Sequence, residues 1–220
     1  VSTVAVYGNT GGEYVDESYR SPNSFPSVYQ RSKWRAHYEV AEPMMEAGLP
    51  LVVASLGAIY GPGDKNYGGT PRTAFVDYLH GDLPILPSDF VLPFDYVTDA
   101  ADALVRAMAS GTPGEEYIVA NEPVNLAYMF ELAEEMTGVS APRTVPGPVF
   151  RLLSYATAGV ELATKPPEGM ESELLRFFDT GGCLVDNTKA VRELGIDHRP
   201  VEAGLREYLA WEIAEQGLGS

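Results

Sequence analysis

The chain has 220 residues, 45% of them hydrophobic, which is enough to bury the core of one or two domains. Its 31 acidic and 15 basic residues leave a net charge of −16, which excludes nucleic acid and anionic membranes as expected partners. The single cysteine excludes an intramolecular disulfide bond, and no apolar run reaches the roughly 20 residues of a membrane helix. We therefore expect a cytoplasmic protein. Few lysines and many scattered acidic residues are typical of a halophilic surface, although an ordinary acidic protein is the alternative.

The start of the chain predicts strand, helix and strand. Residues 1–7 are rich in β-branched and aromatic types and end at Gly8, which predicts the end of a strand. Apolar positions recur at helical spacing over residues 27–47, and Gly48 closes that helix. Residues 49–55 form the continuous apolar run of a buried parallel strand. This order predicts a right-handed βαβ unit of a doubly wound sheet.

The remaining elements complete an α/β fold. We expect helices at residues 72–80, 99–110 (capped by Thr98 or Asp99), 126–137, 149–163, 187–194 and 201–216, and strands at 91–97 and 115–120. The expected architecture is the C-terminal part of a doubly wound, Rossmann-like parallel sheet plus a small mixed α/β substrate-binding region. We assign residues 1–57 to the Rossmann-like domain and 58–220 mostly to the substrate-binding region, with 91–121 returning to the sheet.

Tyr29 and Lys33 form the pair with the clearest chemical use. Four residues apart on a helix, they share one face, so a phenol and an ammonium can converge on one ligand. A free tyrosine titrates at about pH 10, and a nearby positive charge favours the phenolate that proton transfer at neutral pH needs. The spacing alone also fits a solvent-facing pair on an amphipathic helix.

Two further signals stand at strand ends. Thr3 ends the first strand, 26 residues before Tyr29, and ligands bind at the carboxyl ends of parallel strands. A glycine-rich segment that begins at Gly57 follows the next strand, where a cofactor ring needs close backbone approach. Each signal alone is explained by strand propensity or by a turn, but their order along the chain supports one site.

Taken together, these motifs resemble the extended short-chain dehydrogenase/reductases, the NAD-dependent epimerase/dehydratase group. The resemblance covers nearly the whole chain, and its segments are Ser2-Thr3-Val-Ala-Val-Tyr-Gly8, Asp16-Glu17, Tyr29-x-x-x-Lys33, Ile59-Tyr-Gly-Pro-Gly63, Tyr96-Val-Thr-Asp99 (a variant of His-Val-x-Asp) and Thr188-Lys-Ala-Val-Arg-Glu-Leu-Gly195.

The resemblance implies an enzyme that uses NAD or NADP on a small-molecule substrate. Tyr29 would be the general acid/base, Lys33 would bind the nicotinamide ribose and tune Tyr29, and Thr3 would position the reacting oxygen. The backbone segment expected to flank the nicotinamide consists of Leu56, Gly57 and Ala58. The family also implies a homodimer through the helix that carries Tyr29.

One family motif is missing, the Gly-x-x-Gly-x-x-Gly turn after the first strand. Gly11 and Gly12 follow the strand of Thr3 in a loop and cannot serve. By analogy we expect roughly a hundred residues before Val1, holding the pyrophosphate site. We interpret the chain as a C-terminal fragment that binds the cofactor poorly by itself.

Other departures from the family concern the substrate. Val4 and Ala5 stand where dehydratases carry an acid–base pair, so dehydration is not expected. Ala58 and Leu92 stand where many sugar-nucleotide epimerases bind a diphosphate, and the arginines that could replace those contacts are Arg72, Arg143 and Arg176. The pattern is closer to dihydroflavonol-reductase-like and 3β-hydroxysteroid-dehydrogenase-like members, which act on apolar substrates. An apolar face at 148–155 fits such a substrate, although core packing also explains it.

Other kinds of site have little support. His37, His80 and His198 lack metal-ligand spacing, no Gly-x-Ser-x-Gly elbow is present, and Cys183 is expected in a loop that enters a short strand rather than in catalysis. The acidic runs Glu115-Glu116 and Glu134-Glu135 are expected to be solvated faces.

Three functional hypotheses follow. The leading one is an NAD(P)-dependent oxidoreductase that transfers hydride at a secondary alcohol or ketone. The second is a nucleotide-sugar epimerase with altered phosphate contacts. The third is a non-catalytic member, either a dinucleotide sensor or an inactive truncated chain, against which the intact Thr3, Tyr29 and Lys33 argue.

Overall fold

The computed structural model describes residues 1–22, 25, 27–64, 71–165, 171–178 and 182–218. The strands within them are β1 (Ser2–Thr3), β2 (Tyr14–Val15), β3 (Val53–Leu56), β4 (Ala58–Tyr60), β5 (Ile85–Pro87), β6 (Val91–Tyr96), β7 (Glu116–Ile118), β8 (Pro123–Asn125), β9 (Arg143–Val145) and β10 (Leu184–Val185).

The α-helices in the same residues are α1 (Val28–Trp34), α2 (Glu42–Glu46), α3 (Pro71–His80), α4 (Val97–Ser110), α5 (Leu126–Thr137), α6 (Gly147–Glu161), α7 (Ser172–Phe178), α8 (Thr188–Leu194) and α9 (Val201–Glu215). A 3-10 helix (Val4–Tyr7) follows β1, and a π-helix (Arg35–Ala41) joins α1 to α2. None of these described helices has the length and apolar character needed to cross a membrane.

A parallel sheet in the order β1-β3-β7 forms the Rossmann-like part of the fold. One face is covered by the helix that joins β1 to β3, because the Ser2 side chain on β1 contacts His37 on that helix. The opposite face packs through Ala54 and Leu56 against α4 and α8. Helices on both faces of a parallel sheet confirm the expected doubly wound α/β fold.

The second part of the molecule is a mixed α/β region built on β6. This strand pairs parallel with β4 and antiparallel with β8. Its core is aromatic, and Phe75 stacks on Phe130 with ring centroids 4.8 Å apart. Helices α6 and α7 pack against each other through Phe150 and Phe178, whose centroids are 5.7 Å apart. The expected small mixed region is therefore confirmed.

The prediction of a strand over residues 1–7 is wrong beyond Thr3. The Thr3 Oγ1 accepts a hydrogen bond from the Ala5 amide (3.3 Å), so the side chain caps a 3-10 turn and ends the extended conformation. Gly8 follows with φ of 68°, a conformation that strains other residues. The chain therefore turns immediately after Thr3.

The long helix expected over residues 27–47 is present, but its middle is π-helical. It begins after Ser27, whose Oγ accepts a hydrogen bond from the Gln30 amide (3.1 Å). Pro43 gives the physical reason for the π-helical stretch that precedes it. A proline has no amide hydrogen to donate, and its ring crowds the carbonyl one turn earlier, so the α-helical register does not run through unchanged.

The other expected helices and strands form at or near their expected positions. The predicted cap of α4 is wrong, because the helix begins at Val97 and no side chain caps it. Asp99 instead lies in the first turn and accepts a hydrogen bond from the Arg199 guanidinium (2.9 Å). Helix α7 and the short strands β2, β4, β5, β8 and β9 were not predicted.

Candidate functional site

The site begins where two parallel strands end side by side. Thr3 is the last residue of β1, and it pairs in register with Leu56, the last residue of β3. Thr3 is half-buried and Leu56 is buried. The structure therefore brings a predicted hydroxyl residue beside the segment predicted to flank the nicotinamide, at the strand end where ligands bind in such sheets.

Tyr29 and Lys33 lie on α1, which packs against the 3-10 helix that follows Thr3. Tyr29 is 48% exposed, and the Lys33 ammonium is 5.8 Å from the centroid of its ring. Within the described residues, neither the phenol nor the ammonium has a hydrogen-bond or ion-pair partner. Both groups are therefore free to contact a ligand.

A carboxylate on α7 contacts the first turn of the same helix. The Glu173 Oε1 on α7 accepts hydrogen bonds from the amides of Val28 and Tyr29, the second at 3.1 Å. A negative charge at a helix N-terminus is stabilised by the unpaired amides and the helix dipole. No local pattern in the sequence predicted this contact, because the two residues are 144 positions apart.

Gly57 is held in a tight place between β3 and β6. Its amide donates to the Asp95 Oδ2 at 2.7 Å, and an added Cβ would lie 2.4 Å from the Pro93 carbonyl oxygen. The Asp95 Oδ1 accepts a second hydrogen bond from the Asn121 amide at 2.7 Å. Burial raises the pKa of Asp95 to about 6, against the opposing effect of these two hydrogen bonds. Asp95 thus holds the segment that includes Ala58, and no pattern in the sequence distinguished it beforehand.

A buried hydrogen-bond network connects the same helix to the sheet. His37 lies between Ser2 and Glu116, and it is 5% exposed. The expectation that Glu115-Glu116 is a solvated run is wrong for Glu116, whose side chain is 11% exposed and which binds Tyr7, His37 and Ser55. The spacing of His37 four residues after Lys33 was a signal that could have identified it.

Of the three arginines considered for a diphosphate, Arg72 is already engaged. It forms a buried ion pair with Glu212, with an N–O distance of 3.0 Å. Arg143 on β9 is exposed, and Arg176 on α7 is half-buried.

Cys183 is buried just before β10, the short strand that its loop was expected to enter. Burial raises the pKa of its thiol to about 12, which keeps the thiol protonated and unreactive.

A cavity of about 330 Å³ lies at the opposite end of the sheet, near Val53 and Glu116, where β3 and β7 begin. Charged residues on its wall include Glu17, Arg20 and Lys189. Tyr29 and Lys33 do not border it, so it is distinct from the candidate site.

The described residues fit one end of a nicotinamide dinucleotide. The unpartnered Lys33 ammonium and Tyr29 phenol suit the ribose and the reacting oxygen, and Leu56, which ends β3 beside Thr3, stands at the strand end where a ligand binds in such a sheet. The 220 residues contain no Gly-x-x-Gly-x-x-Gly turn that would hold the pyrophosphate.

Comparison with known proteins identifies relatives across most of the chain. The chain is 27% identical over 215 residues to sterol demethylase protein B of Methylococcus capsulatus, covering 90% of this chain and 60% of that protein. It is 25% identical over 223 residues to a putative dihydroflavonol 4-reductase of Synechocystis, covering 96% and 62%. The chain thus spans less than two thirds of the length of these relatives.

Solved structures show the same fold. The crystal structure of gox2253 superposes with a TM-score of 0.76 at 24% identity, covering 98% of this chain and 65% of that one. UDP-glucose 4-epimerase of Thermotoga maritima gives a TM-score of 0.70 at 21% identity, covering 98% and 62%. The family model of the NAD dependent epimerase/dehydratase family matches residues 1–120. With the strand-end site and the Tyr29–Lys33 pair, these matches establish that the chain belongs to the NAD-dependent epimerase/dehydratase family, within the extended short-chain dehydrogenase/reductases.

Proposed function

We propose that the protein is an NAD(P)-dependent oxidoreductase that acts at a secondary alcohol or ketone. The observation that carries this proposal is the position of the unpartnered Tyr29–Lys33 pair. The two residues lie on the helix that packs against the 3-10 helix after Thr3. Thr3 itself is in register with Leu56 at the strand ends. A hydroxyl, a phenol and an ammonium at the carboxyl edge of a parallel sheet are the groups that bind and deprotonate an alcohol.

The chemistry divides between cofactor and protein. When bound, the nicotinamide supplies the hydride acceptor or donor. In the oxidation direction, the hydroxyl proton of the substrate would pass to the Tyr29 oxygen. Thr3 donates a hydrogen bond to the reacting oxygen, and Lys33 binds the ribose. In reduction, Tyr29 returns the proton to the carbonyl oxygen.

We propose an apolar substrate, because the groups that serve other family reactions are absent. Val4 and Ala5 are buried and carry no ionisable group, so they cannot eliminate water. Leu92 is also buried and offers no charge to a diphosphate. Helix α6 exposes an apolar face in which Leu152 is 71% and Tyr155 is 66% exposed. This helix packs on α7, whose Glu173 contacts the first turn of the Tyr29 helix.

The second candidate is a nucleotide-sugar epimerase, which is supported by the exposed guanidinium of Arg143 on β9 and by the fold of the Thermotoga maritima epimerase. The two candidates differ in the chemistry of the substrate. A panel of sterol and flavonoid ketones and of UDP-sugars, each tested with NAD and NADP, separates them. Net change in nicotinamide absorbance supports the oxidoreductase, and sugar inversion without net change supports the epimerase.

The catalytic assignment is tested with Tyr29→Phe in the full natural chain. We expect the rate of hydride transfer to fall by about 10² to 10⁴, because the proton donor is lost, while the Kd of the dinucleotide stays nearly unchanged. Tyr128→Phe is the matched control, since Tyr128 is also helical and 48% exposed, and it should keep full activity. Hydride transfer by Tyr29→Phe at the wild-type rate would contradict the assignment.

A further inference from the structure

We propose that His37 is a positioning residue that sets the distance between the helix of Tyr29 and the strand of Thr3. This inference rests on the proposed function, since it concerns the geometry of the same reaction. The Ser2 Oγ is 2.9 Å from the His37 Nδ1, and the His37 Nε2 is 3.0 Å from the Glu116 Oε2. One imidazole therefore connects β1, the catalytic helix and β7.

In this hydrogen-bond network, the Glu116 carboxylate is the shared acceptor. The Glu116 Oε1 accepts hydrogen bonds from the Tyr7 hydroxyl (2.9 Å) and the Ser55 hydroxyl (3.1 Å). Burial and the adjacent Glu116 carboxylate raise the pKa of Tyr7 far above its ordinary value, so its hydroxyl remains a donor. A carboxylate only accepts, so the His37 Nε2–H donates to Glu116, and the second hydrogen bond of the imidazole joins Nδ1 to the Ser2 hydroxyl.

The location of His37 along the helix connects it to the candidate catalytic residues. Tyr29, Lys33 and His37 follow each other at intervals of four, which places them along one side of the helix. The π-helix begins two residues after Lys33, and the Glu42 amide donates to the His37 carbonyl across a five-residue turn. Segments of π-helix are rare and are frequent at functional sites.

The other end of the network adjoins Thr3. Ser2 precedes Thr3 directly in β1, and the chain turns into the 3-10 helix directly after Thr3. A hydrogen bond between Ser2 and His37 therefore connects the residue next to Thr3 with the helix of Tyr29. Misplacement of reacting groups by about 1 Å can cost 10²-fold in rate.

The test removes one hydrogen bond at a time in the full natural chain. In His37→Gln the amide can replace Nε2 and keep the contact with Glu116, but it does not reach Ser2 as Nδ1 does. Ser2→Ala removes the same hydrogen bond from the strand side. We expect each change to lower kcat by roughly 10- to 100-fold with KM for substrate and dinucleotide changed less than about threefold.

The double variant distinguishes positioning from a general loss of packing. Because Ser2→Ala and His37→Gln delete the same hydrogen bond, the double variant should be no slower than either single variant. Imidazole should also restore part of the kcat of His37→Ala, since the cavity of about 330 Å³ borders both His37 and Glu116 and gives a small molecule access. His80→Gln, a helical histidine on α3, is the control and should retain wild-type kcat.

The outcomes separate this inference from the proposed function. A wild-type protein that transfers no hydride to or from any substrate of the panel contradicts the proposed function. An active wild type with an inactive Tyr29→Phe, combined with unchanged kcat in both Ser2→Ala and His37→Gln, overturns the positioning role alone. A lower Tm with unchanged kcat in these variants assigns His37 to stability only, and also overturns the inference.

Discussion

Two aspartates on neighbouring elements, the buried Asp95 on β6 and the half-buried Asp99 on α4, differ in what surrounds their carboxylates. Asp95 accepts two backbone hydrogen bonds and has no cation bound to it among the contacts described, so burial dominates and raises its pKa to about 6. For Asp99, burial also acts to raise the pKa, but hydrogen bonds and charge from Arg199 outweigh it and lower the pKa below the ordinary value. Two aspartates that are four residues apart therefore have pKa values shifted in opposite directions.

The two aspartates should contribute to stability with opposite pH slopes. The folded-state pKa of Asp95 is raised, so its contribution is present below about 3.8 and is lost as pH rises through about 6. The loss is on the order of 3 kcal/mol at 1.36 kcal/mol per pH unit. The folded-state pKa of Asp99 is lowered, so its contribution is present above about 3.8 and is lost as pH falls.

Urea denaturation of the wild type, Asp95→Asn and Asp99→Asn across this pH range measures both slopes. Subtracting each variant from the wild type cancels the other titrating groups. The free energy of unfolding of the wild type relative to Asp95→Asn should decrease as pH rises, and relative to Asp99→Asn it should increase. Differences that are constant with pH would contradict the assigned environments.

At the scale of elements, one buried and one half-buried ion pair hold the residues from 199 to 215 to the rest of the fold. Arg72 on α3 binds Glu212 on α9 with both carboxylate oxygens engaged, at 3.0 Å each. Arg199, just before α9, binds Asp99 on α4 and lies 3.8 Å from the centroid of the Tyr96 ring. Arg72 is therefore a structural residue in this fold, and its proposed use for a diphosphate is replaced by a contact between helices.

Removal of one member of the buried pair should destabilise the protein strongly. Arg72→Met leaves Glu212 buried without its cation, and we expect a loss of about 3–5 kcal/mol in the free energy of unfolding. The double variant Arg72→Met/Glu212→Leu should recover most of that loss, because no charge stays buried.

The matched control is an exposed pair on the same helix. Arg206 and Glu202 are 3.4 Å apart with side chains 64% and 60% exposed, so Arg206→Met should cost less than about 1 kcal/mol. Chemical denaturation of the four proteins measures these differences. Equal losses for Arg72→Met and Arg206→Met would show that the burial of Glu212 carries no penalty.

At the scale of the whole molecule, the net charge predicts how the stability of the folded state depends on salt. The net charge of −16 on 220 residues makes the folded state repel itself, and salt reduces that repulsion. Halophilic adaptation thus remains a prediction, as does the cytoplasmic location. We propose a homodimer through the helix that carries Tyr29 and its continuation, where Val40 and Met44 are 54% and 49% exposed.

A thermal-shift titration with NAD and NADP at low and high salt tests the whole-molecule expectations. The Tm should rise with salt, because screening relieves the repulsion among the acidic residues. The 220 residues alone should show little shift with either dinucleotide, because they lack the glycine-rich turn that binds a pyrophosphate. A saturable shift would place a pyrophosphate site within these residues and contradict that expectation. A Tm independent of salt would remove the argument for halophilic adaptation.

Local patterns of the sequence predicted most of the helices and the longer strands, and they supplied the candidate residues of the site. Helical periodicity predicted the helix of Tyr29 and Lys33, and a continuous apolar run predicted β3, because side-chain burial repeats with the geometry of each element. The same patterns failed at residues 4–7, where one hydroxyl cap on the backbone outweighs strand propensity.

By itself, the sequence determined the α/β fold class, the net charge and the Tyr29–Lys33 spacing, since each depends on composition or on neighbours within one turn. Only the tertiary structure decided that Thr3 pairs with Leu56, and that His37 lies between Ser2 and Glu116, which are 35 and 79 positions away from it. The physical reason is the range of the interactions. Burial periodicity is local, whereas a hydrogen bond between distant residues exists only after the chain has folded and brought its partners together.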